Sequence, residues 1–115
     1  MADEQKNFRR YNSQKKDAAL DMGKLQPQDT ELEEAVLGAL MLEKDAYVAV
    51  CDILKPESFY DVRNQKIYAS IQSLGAMQRP IDMLTVTEQL RRDDNLIDVG
   101  GPLRISELTA RVSSA

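Results

Sequence analysis

The segment that follows Pro27 carries apolar residues at steps of three and four. This spacing predicts an amphipathic α-helix with a wide apolar face, made of Leu32, Val36, Leu37, Leu40 and Met41. Asp29 or Thr30 can cap the start of this helix, and Thr30 with Glu33 has the spacing of a capping box. Gly38 interrupts the helix, and a glycine at such a place usually lets a second helix approach closely. The sequence therefore predicts that this helix packs against another.

A second helix is predicted over residues 45–54, with its inward face formed by Tyr47, Val50, Cys51 and Leu54. It must end before Pro56, because the residue that precedes a proline is disfavoured in the helical region. Residues 56–60 are expected to form a connector whose two aromatic side chains, Phe59 and Tyr60, both enter the core.

Three further helices are predicted in the second half of the chain. Asp61 offers an N-cap for the first of them. The next begins at Asp82 or Thr85, where Thr85 and Glu88 have capping-box spacing. The last covers residues 103–112 after a Gly-Gly-Pro turn. No segment has the alternating pattern of a strand, so the predicted fold is all-α, a compact bundle of five or six short helices.

The scarcity of aromatic residues agrees with a helical fold. The 115 residues include no Trp, two Phe and four Tyr. The core must therefore be built from Leu, Ile, Val, Met and Ala, a composition that favours helices packed on helices over strands.

Charge divides the chain into two parts. Residues 1–28 are polar, lack a sustained period and are predicted to be a flexible basic leader, whereas residues 29–115 are predicted to be the helical domain. Residues 30–115 hold nine basic and fourteen acidic side chains, a net charge of −5. Such a surface is a poor match for a polyanion and favours a protein partner.

The leader leaves one alternative open. Its cations surround Phe8 and Tyr11, and they are Lys6, Arg9, Arg10, Lys15 and Lys16. A basic stretch with interleaved aromatic residues can contact single-stranded nucleic acid, so an auxiliary nucleic-acid-binding role competes with the interpretation of a solvated tail.

The residues needed for catalysis and metal binding are scarce. The chain has one cysteine, Cys51, and no histidine, which excludes the usual zinc sites and the Ser-His-Asp and Cys-His arrangements. A phosphate-binding GxxxxGK[ST] loop is absent, so no cofactor is expected in this chain. The acidic residues Glu31, Glu33 and Glu34 are interpreted as first-turn groups that stabilise the helix dipole, or as a docking point for a basic partner.

The expected cellular location follows from the same composition. A single cysteine fits a reducing compartment, the start of the sequence lacks the apolar region of a signal peptide, and no apolar run is long enough to span a membrane. The protein is expected to be cytoplasmic.

Four stretches of this sequence follow one another in an order known from a protein family. They are Pro-x-Asp-x-Glu-x-Glu-x-Ala-Val-Leu-Gly at 27–38, Phe-Tyr-x-x-x-Asn-Gln-x-Ile-Tyr at 59–68, Pro-Ile-Asp-x-x-Thr-Val-x-x-x-Leu at 80–90, and Leu-x-x-Val-Gly-Gly-x-x-x-Ile-x-x-Leu at 96–108. Together they resemble the N-terminal domain of bacterial replicative DNA helicases, the DnaB family, over residues 27–115.

The resemblance implies a parent protein that is a ring-shaped, hexameric, ATP-dependent 5'-3' DNA helicase of the replication fork. This chain would be a fragment of its N-terminal collar, without the helical hairpin or the ATPase domain, which binds ATP and Mg. The implied partners are primase and neighbouring helicase subunits, with DNA contacted by the parent. The fragment itself would be non-catalytic and would contribute to ring assembly and primase recruitment.

The resemblance also suggests two partner-binding residues. Glu31 lies in the early helix that the family associates with primase docking. Arg104 stands where the family commonly has a tyrosine, in a surface with the same association. Thr30 and Leu32 are further departures, since the family usually has Ile or Leu at the first of these positions and Ala at the second.

Overall fold

The structure, a computed structural model, describes residues 30–113, so the predicted leader lies outside the described residues. All regular secondary structure in the described part is helical, which confirms the predicted fold class. It contains a 3₁₀ turn, Pro56–Ser58, and five α-helices: α1 (Thr30–Leu42), α2 (Ala46–Val50), α3 (Val62–Ala76), α4 (Met83–Arg92) and α5 (Gly101–Ser113). None of these helices is long and apolar enough to cross a membrane.

The helices surround one core of aliphatic side chains with two aromatic residues. Its members are Leu37, Leu40, Met41, Leu54, Phe59, Ile67, Tyr68, Ile71, Leu74, Val86, Leu90, Leu96, Val99, Ile105 and Leu108. They come from α1, α3, α4 and α5 and from the connecting segments. The predicted core composition is confirmed, because aliphatic residues fill most of it.

Helices α1 and α5 approach each other unusually closely at Gly38. A Cβ atom added to this glycine would lie 2.3 Å from the backbone oxygen of Leu108 and 2.7 Å from Cγ2 of Val112. Real Cβ atoms essentially never come within 3.0 Å of another heavy atom in this way. The prediction that Gly38 permits close helix packing is therefore confirmed.

The apolar face of α1 is rotated from the predicted one. Leu32 is 53% exposed and Val36 is only partly buried, whereas Leu37, Leu40 and Met41 are buried. The inward position one turn before Leu37 is taken by the carboxylate of Glu33, which is fully buried. Glu33 lies in the first turn as expected, but its burial is incompatible with the alternative interpretation of an exposed docking point for a basic partner.

Helix α2 is shorter than predicted and lies on the surface. It spans Ala46–Val50, and none of its residues is fully buried. Cys51 follows it and is only partly buried, so the prediction of a core cysteine is wrong. Leu54 is buried as predicted. A five-residue helix has too few turns to bury a continuous face, which explains the difference.

Only one of the two aromatic residues after Pro56 enters the core. Phe59 is buried, with its ring centre 5.1 Å from that of Tyr68, whereas Tyr60 is 51% exposed. The Tyr68 hydroxyl donates a hydrogen bond to the backbone oxygen of Leu54 at 2.9 Å. Because consecutive residues of an extended segment point to opposite sides, one of the pair had to face the solvent.

The predicted cap is confirmed at α3, and at α4 the first of the two predicted alternatives, Asp82, is confirmed. The Asp61 side chain accepts the backbone N–H of Arg63 at the start of α3. At α4 the capping box is formed by Asp82 and Thr85, whose side chains each bond the other's backbone N–H. The alternative start at Thr85, with Glu88 as its partner, is therefore wrong.

Candidate partner-binding surface

Glu31 lies in the first turn of α1, and its side chain is exposed to solvent. On a helix, residues three positions apart are neighbours, so Glu31 and Glu34 lie on the same side of α1. Glu34 is directed towards α5. This geometry places the predicted partner-binding residue Glu31 beside the contact between α1 and α5.

The carboxylate of Glu34 forms ion pairs with two arginines of α5. One of its carboxylate oxygens accepts a hydrogen bond from Arg104 Nη2 at 3.2 Å, and the other pairs with the guanidinium of Arg111. The Glu34 side chain is 16% exposed, so this cluster sits at the edge of the protein. Beside it is a shallow depression of about 490 Å³, which Glu107 also lines. The depression offers charges of both signs to a partner.

Arg104, the second predicted partner-binding residue, points into the protein rather than away from it. The residue is 9% exposed. Its Nη2 also donates to Oδ1 of Asn64 at 2.8 Å, and its Nη1 donates to the backbone oxygen of Val99 at 3.3 Å. The guanidinium thus links α5 to α1 and α3. A direct contact between Arg104 and a partner stays a prediction.

Glu33 continues this set of bonds towards the loop before α3. Its Oε1 accepts a hydrogen bond from Nδ2 of Asn64 at 2.8 Å and a longer one, 3.4 Å, from the backbone N–H of Asp61. Its Oε2 accepts the backbone N–H of Tyr60 at 2.5 Å. Asn64 is fully buried and joins Glu33 to Arg104. We call the residues Glu33, Glu34, Asn64, Arg104 and Arg111 the interhelical polar network.

The family model of the DnaB-like helicase N-terminal domain matches residues 25–115. This chain belongs to that family. It is 48% identical over 93 residues to the replicative DNA helicase DnaB of Rhodothermus marinus and 38% identical over 92 residues to the replicative DNA helicase DnaC of Bacillus subtilis strain 168. These alignments cover 81% and 80% of this chain but only 10% and 20% of those relatives. The chain therefore spans a tenth to a fifth of the length of these two helicases.

A solved structure supports the assignment of the fold. The N-terminal domain of DnaB helicase from Mycobacterium tuberculosis is 35% identical in sequence and superposes with a TM-score of 0.70. The match covers 75% of this chain and 60% of that one. The described residues therefore have the fold of a replicative-helicase N-terminal domain.

The interhelical polar network of this DnaB-like domain was not predicted from the sequence, although one signal for it was available. Glu33 precedes Leu37 by four residues and Leu40 by seven, which is the spacing of a single helix face. A carboxylate on that face must be paired or hydrogen-bonded when the face is buried. Its partner Asn64 is 31 positions away, and Arg104, which Asn64 joins to it, is 71 positions away, so local sequence patterns could not identify them.

In this DnaB-like domain Asp61 and Arg63 form an ion pair on the surface at the start of α3, close to the interhelical polar network. Nε and Nη2 of Arg63 donate to the Asp61 carboxylate, the latter at 2.9 Å. The hydrogen bonds from Arg63 lower the pKa of Asp61 below its usual range, although partial burial opposes the effect. The same pair raises the pKa of Arg63.

We expect the pair of Asp61 and Arg63 to make the free energy of unfolding depend on pH in the acidic range. The pKa of Asp61 is lowered in the folded state, so its stabilisation is complete above the pKa of the unfolded chain, about pH 4, and is lost as the pH falls through the folded value. Asp61→Asn keeps a capping side chain but removes the charge. It should cost at most about 1 kcal/mol at pH 7, because Arg63 is half exposed, and should flatten the fall in stability below about pH 4. Urea unfolding at a series of pH values measures both effects. An unchanged pH profile would contradict this account.

Proposed function

We propose that this domain is a non-catalytic interaction module of an ATP-dependent, hexameric replicative DNA helicase, and that it contributes to ring assembly and primase recruitment. The observation that carries the proposal is the family match over residues 25–115. The relatives are named replicative helicases, and the aligned region is a small part of each. Primase and neighbouring helicase subunits are the proposed partners, and ATP with Mg would be bound elsewhere in the parent.

The interhelical polar network supports a role in presenting a rigid surface. Every buried side-chain nitrogen or oxygen within residues 30–113 has a hydrogen-bond partner. The network therefore fixes the first turn of α1 against α5 while its own polar groups are already satisfied. The groups left for a partner are those that point outwards beside it, such as Glu31, Leu32 and Glu107. An acidic group next to an exposed leucine suits a partner surface that combines basic and apolar residues.

The primase-binding part of the proposal can be tested by NMR. The ¹⁵N-labelled chain is titrated with the C-terminal domain of the matching primase, and backbone shifts are expected in the first turn of α1 and along α5. Glu31→Lys should weaken binding by about fivefold, because a reversed charge at the rim of an interface changes binding by roughly 1 kcal/mol. Glu57→Lys is the matched control, since Glu57 is also an exposed acid in the first turn of a helical segment but lies on the 3₁₀ turn.

Two results would count against primase recruitment through this surface. One is shifts confined to other parts of the domain at high micromolar concentrations of both proteins. The other is equal weakening by Glu31→Lys and Glu57→Lys, which would indicate a general charge effect rather than a contact at α1.

A further inference from the structure

A second surface lies at the other end of α1. A groove of about 620 Å³ runs between the end of α1, helix α2 and the loop that joins α3 to α4. Most of its walls are apolar, and the apolar residues that form them are Met41, Leu42, Tyr47, Val48, Pro80 and Ile81. The ring of Tyr47 lies over Gly75, where an added Cβ atom would be only 2.3 Å from the ring. This close contact fixes the position of the groove wall. We call this surface the α2 groove.

The apolar side chains of the α2 groove remain accessible to solvent. Val48 is 73% exposed and Leu42 is 47% exposed, and α2 contributes no fully buried residue. These side chains therefore do little for the core. An open groove with exposed apolar walls indicates a site for apolar side chains of another molecule.

The charges that line the α2 groove indicate which molecule fits. Lys44 and Arg79 both line it and both are exposed. Neither forms an ion pair with another residue of the described range, whereas five of the nine cations there do: Arg63, Lys66, Arg91, Arg104 and Arg111. Two of the remaining four cations thus lie at one groove.

The acidic groups near the groove do not cancel these charges. Asp82 is the acid among the lining residues, and its carboxylate accepts the backbone N–H of Thr85 in the cap of α4. Glu43 and Asp45 flank Lys44 in sequence, but neither lines the groove. The groove is therefore locally basic on a domain whose described part has an excess of five acidic residues. Such a difference in sign favours an acidic ligand at this place.

We propose that the α2 groove binds an acidic amphipathic peptide segment of a partner protein. Apolar side chains of the peptide enter between Leu42, Val48 and Ile81, and its carboxylates pair with Lys44 and Arg79. Recognition of an amphipathic helix by an apolar groove with charged rims is a common mode of peptide binding. Residues 31 and 42 are about 16 Å apart along α1 at 1.5 Å per residue, so this site is separate from the proposed primase surface.

The test uses the complete 115-residue chain and two synthetic peptides. The first peptide has twelve residues, with leucine at positions i, i+3, i+4 and i+7 and glutamate elsewhere, and the second has lysine in place of each glutamate. We expect the acidic peptide to shift the amide signals of residues that line the α2 groove and the basic peptide to leave them unchanged. The double variant Lys44→Glu, Arg79→Glu should bind the acidic peptide about tenfold more weakly, which corresponds to roughly 1.4 kcal/mol.

A matched control uses the other two cations of residues 30–113 that form no ion pair within that range, Lys55 and Arg92, which are exposed and do not line the groove. The double variant Lys55→Glu, Arg92→Glu changes the net charge by the same amount and should bind normally. Equal weakening by both double variants would overturn the proposal, and so would the absence of groove shifts at millimolar peptide. Groove shifts that appear with rising protein concentration and no peptide would also overturn it, in favour of a second copy of this chain as the occupant.

Discussion

Replacing Glu33 with alanine is expected to lower the free energy of unfolding by roughly 3–5 kcal/mol, because it removes two short hydrogen bonds to a buried carboxylate, each worth about 1.5–3 kcal/mol. The carboxylate is fully buried and accepts hydrogen bonds from Asn64 and from the backbone N–H groups of Tyr60 and Asp61. Without it, these donors lose their partner, and each unsatisfied buried donor costs about 1–3 kcal/mol. Urea unfolding followed by circular dichroism measures the change through the shift of the midpoint.

Two variants test whether the effect comes from the hydrogen bonds. Glu31→Ala, in the same helical turn, should change stability by less than about 0.5 kcal/mol, because its side chain is exposed. Glu33→Gln keeps the shape but replaces one acceptor oxygen with an NH₂ group, so it should fall between Glu31→Ala and Glu33→Ala. A loss from Glu33→Ala no greater than that from Glu31→Ala would show that the network contributes little to stability.

Replacing Gly38 with alanine is the second substitution with a large expected effect. Alanine is the better helix former by about 1 kcal/mol, so helix propensity alone predicts stabilisation. The new Cβ would lie 2.3 Å from the backbone oxygen of Leu108, and a backbone atom cannot move aside as a flexible side chain can. Overpacking of this kind usually costs 1–3 kcal/mol, and the need to separate two helices places this case at about 3 kcal/mol. We therefore expect net destabilisation by roughly 2 kcal/mol.

The direction of the stability change caused by Gly38→Ala tests the close packing of α1 and α5. Ala35→Gly, the reverse exchange at an exposed position of the same helix, isolates helix propensity and should destabilise by about 1 kcal/mol. Gly38→Ala with Val112→Ala removes the contact to Cγ2 of Val112 but leaves the one to the Leu108 backbone, so stability should not return to the wild-type value. Stabilisation by Gly38→Ala would contradict the close packing of α1 and α5.

The parts of the fold that depend on short-range chemistry were predictable. The caps at Asp61 and Asp82 and the close approach at Gly38 follow from residues within a turn of one another or from the steric properties of a single residue. The rotation of α1 was not predicted, because Leu32 is more apolar than Glu33 and the choice between them depends on what lies opposite. Asn64 lies opposite Glu33, 31 positions along the chain, and satisfies its carboxylate.

In the candidate site, too, the features that depend on residues distant in sequence could not be predicted. The resemblance to a helicase domain suggested Arg104 as a partner contact, and the sequence gives no sign of which way its side chain turns. The fold decides this, since Asn64, Glu34 and the backbone of Val99 supply acceptors on the inner side of α5. A long cation can bury its stem and its head when enough acceptors surround it.

The interhelical polar network includes no residue of α4, nor of the short surface helix α2. Its side chains lie on α1, α3 and α5, whereas α4 contributes two buried residues, Val86 and Leu90, and no member of the network. Local opening of a folded protein requires breaking the contacts that hold one segment to the rest. Separating α4 breaks apolar contacts and one weak hydrogen bond, from the Thr109 hydroxyl to the sulfur of Met83, whereas separating α1, α3 or α5 exposes buried charges as well. Buried polar bonds thus join α1, α3 and α5 into one frame, and we expect amide hydrogen exchange to reach α4 before that frame.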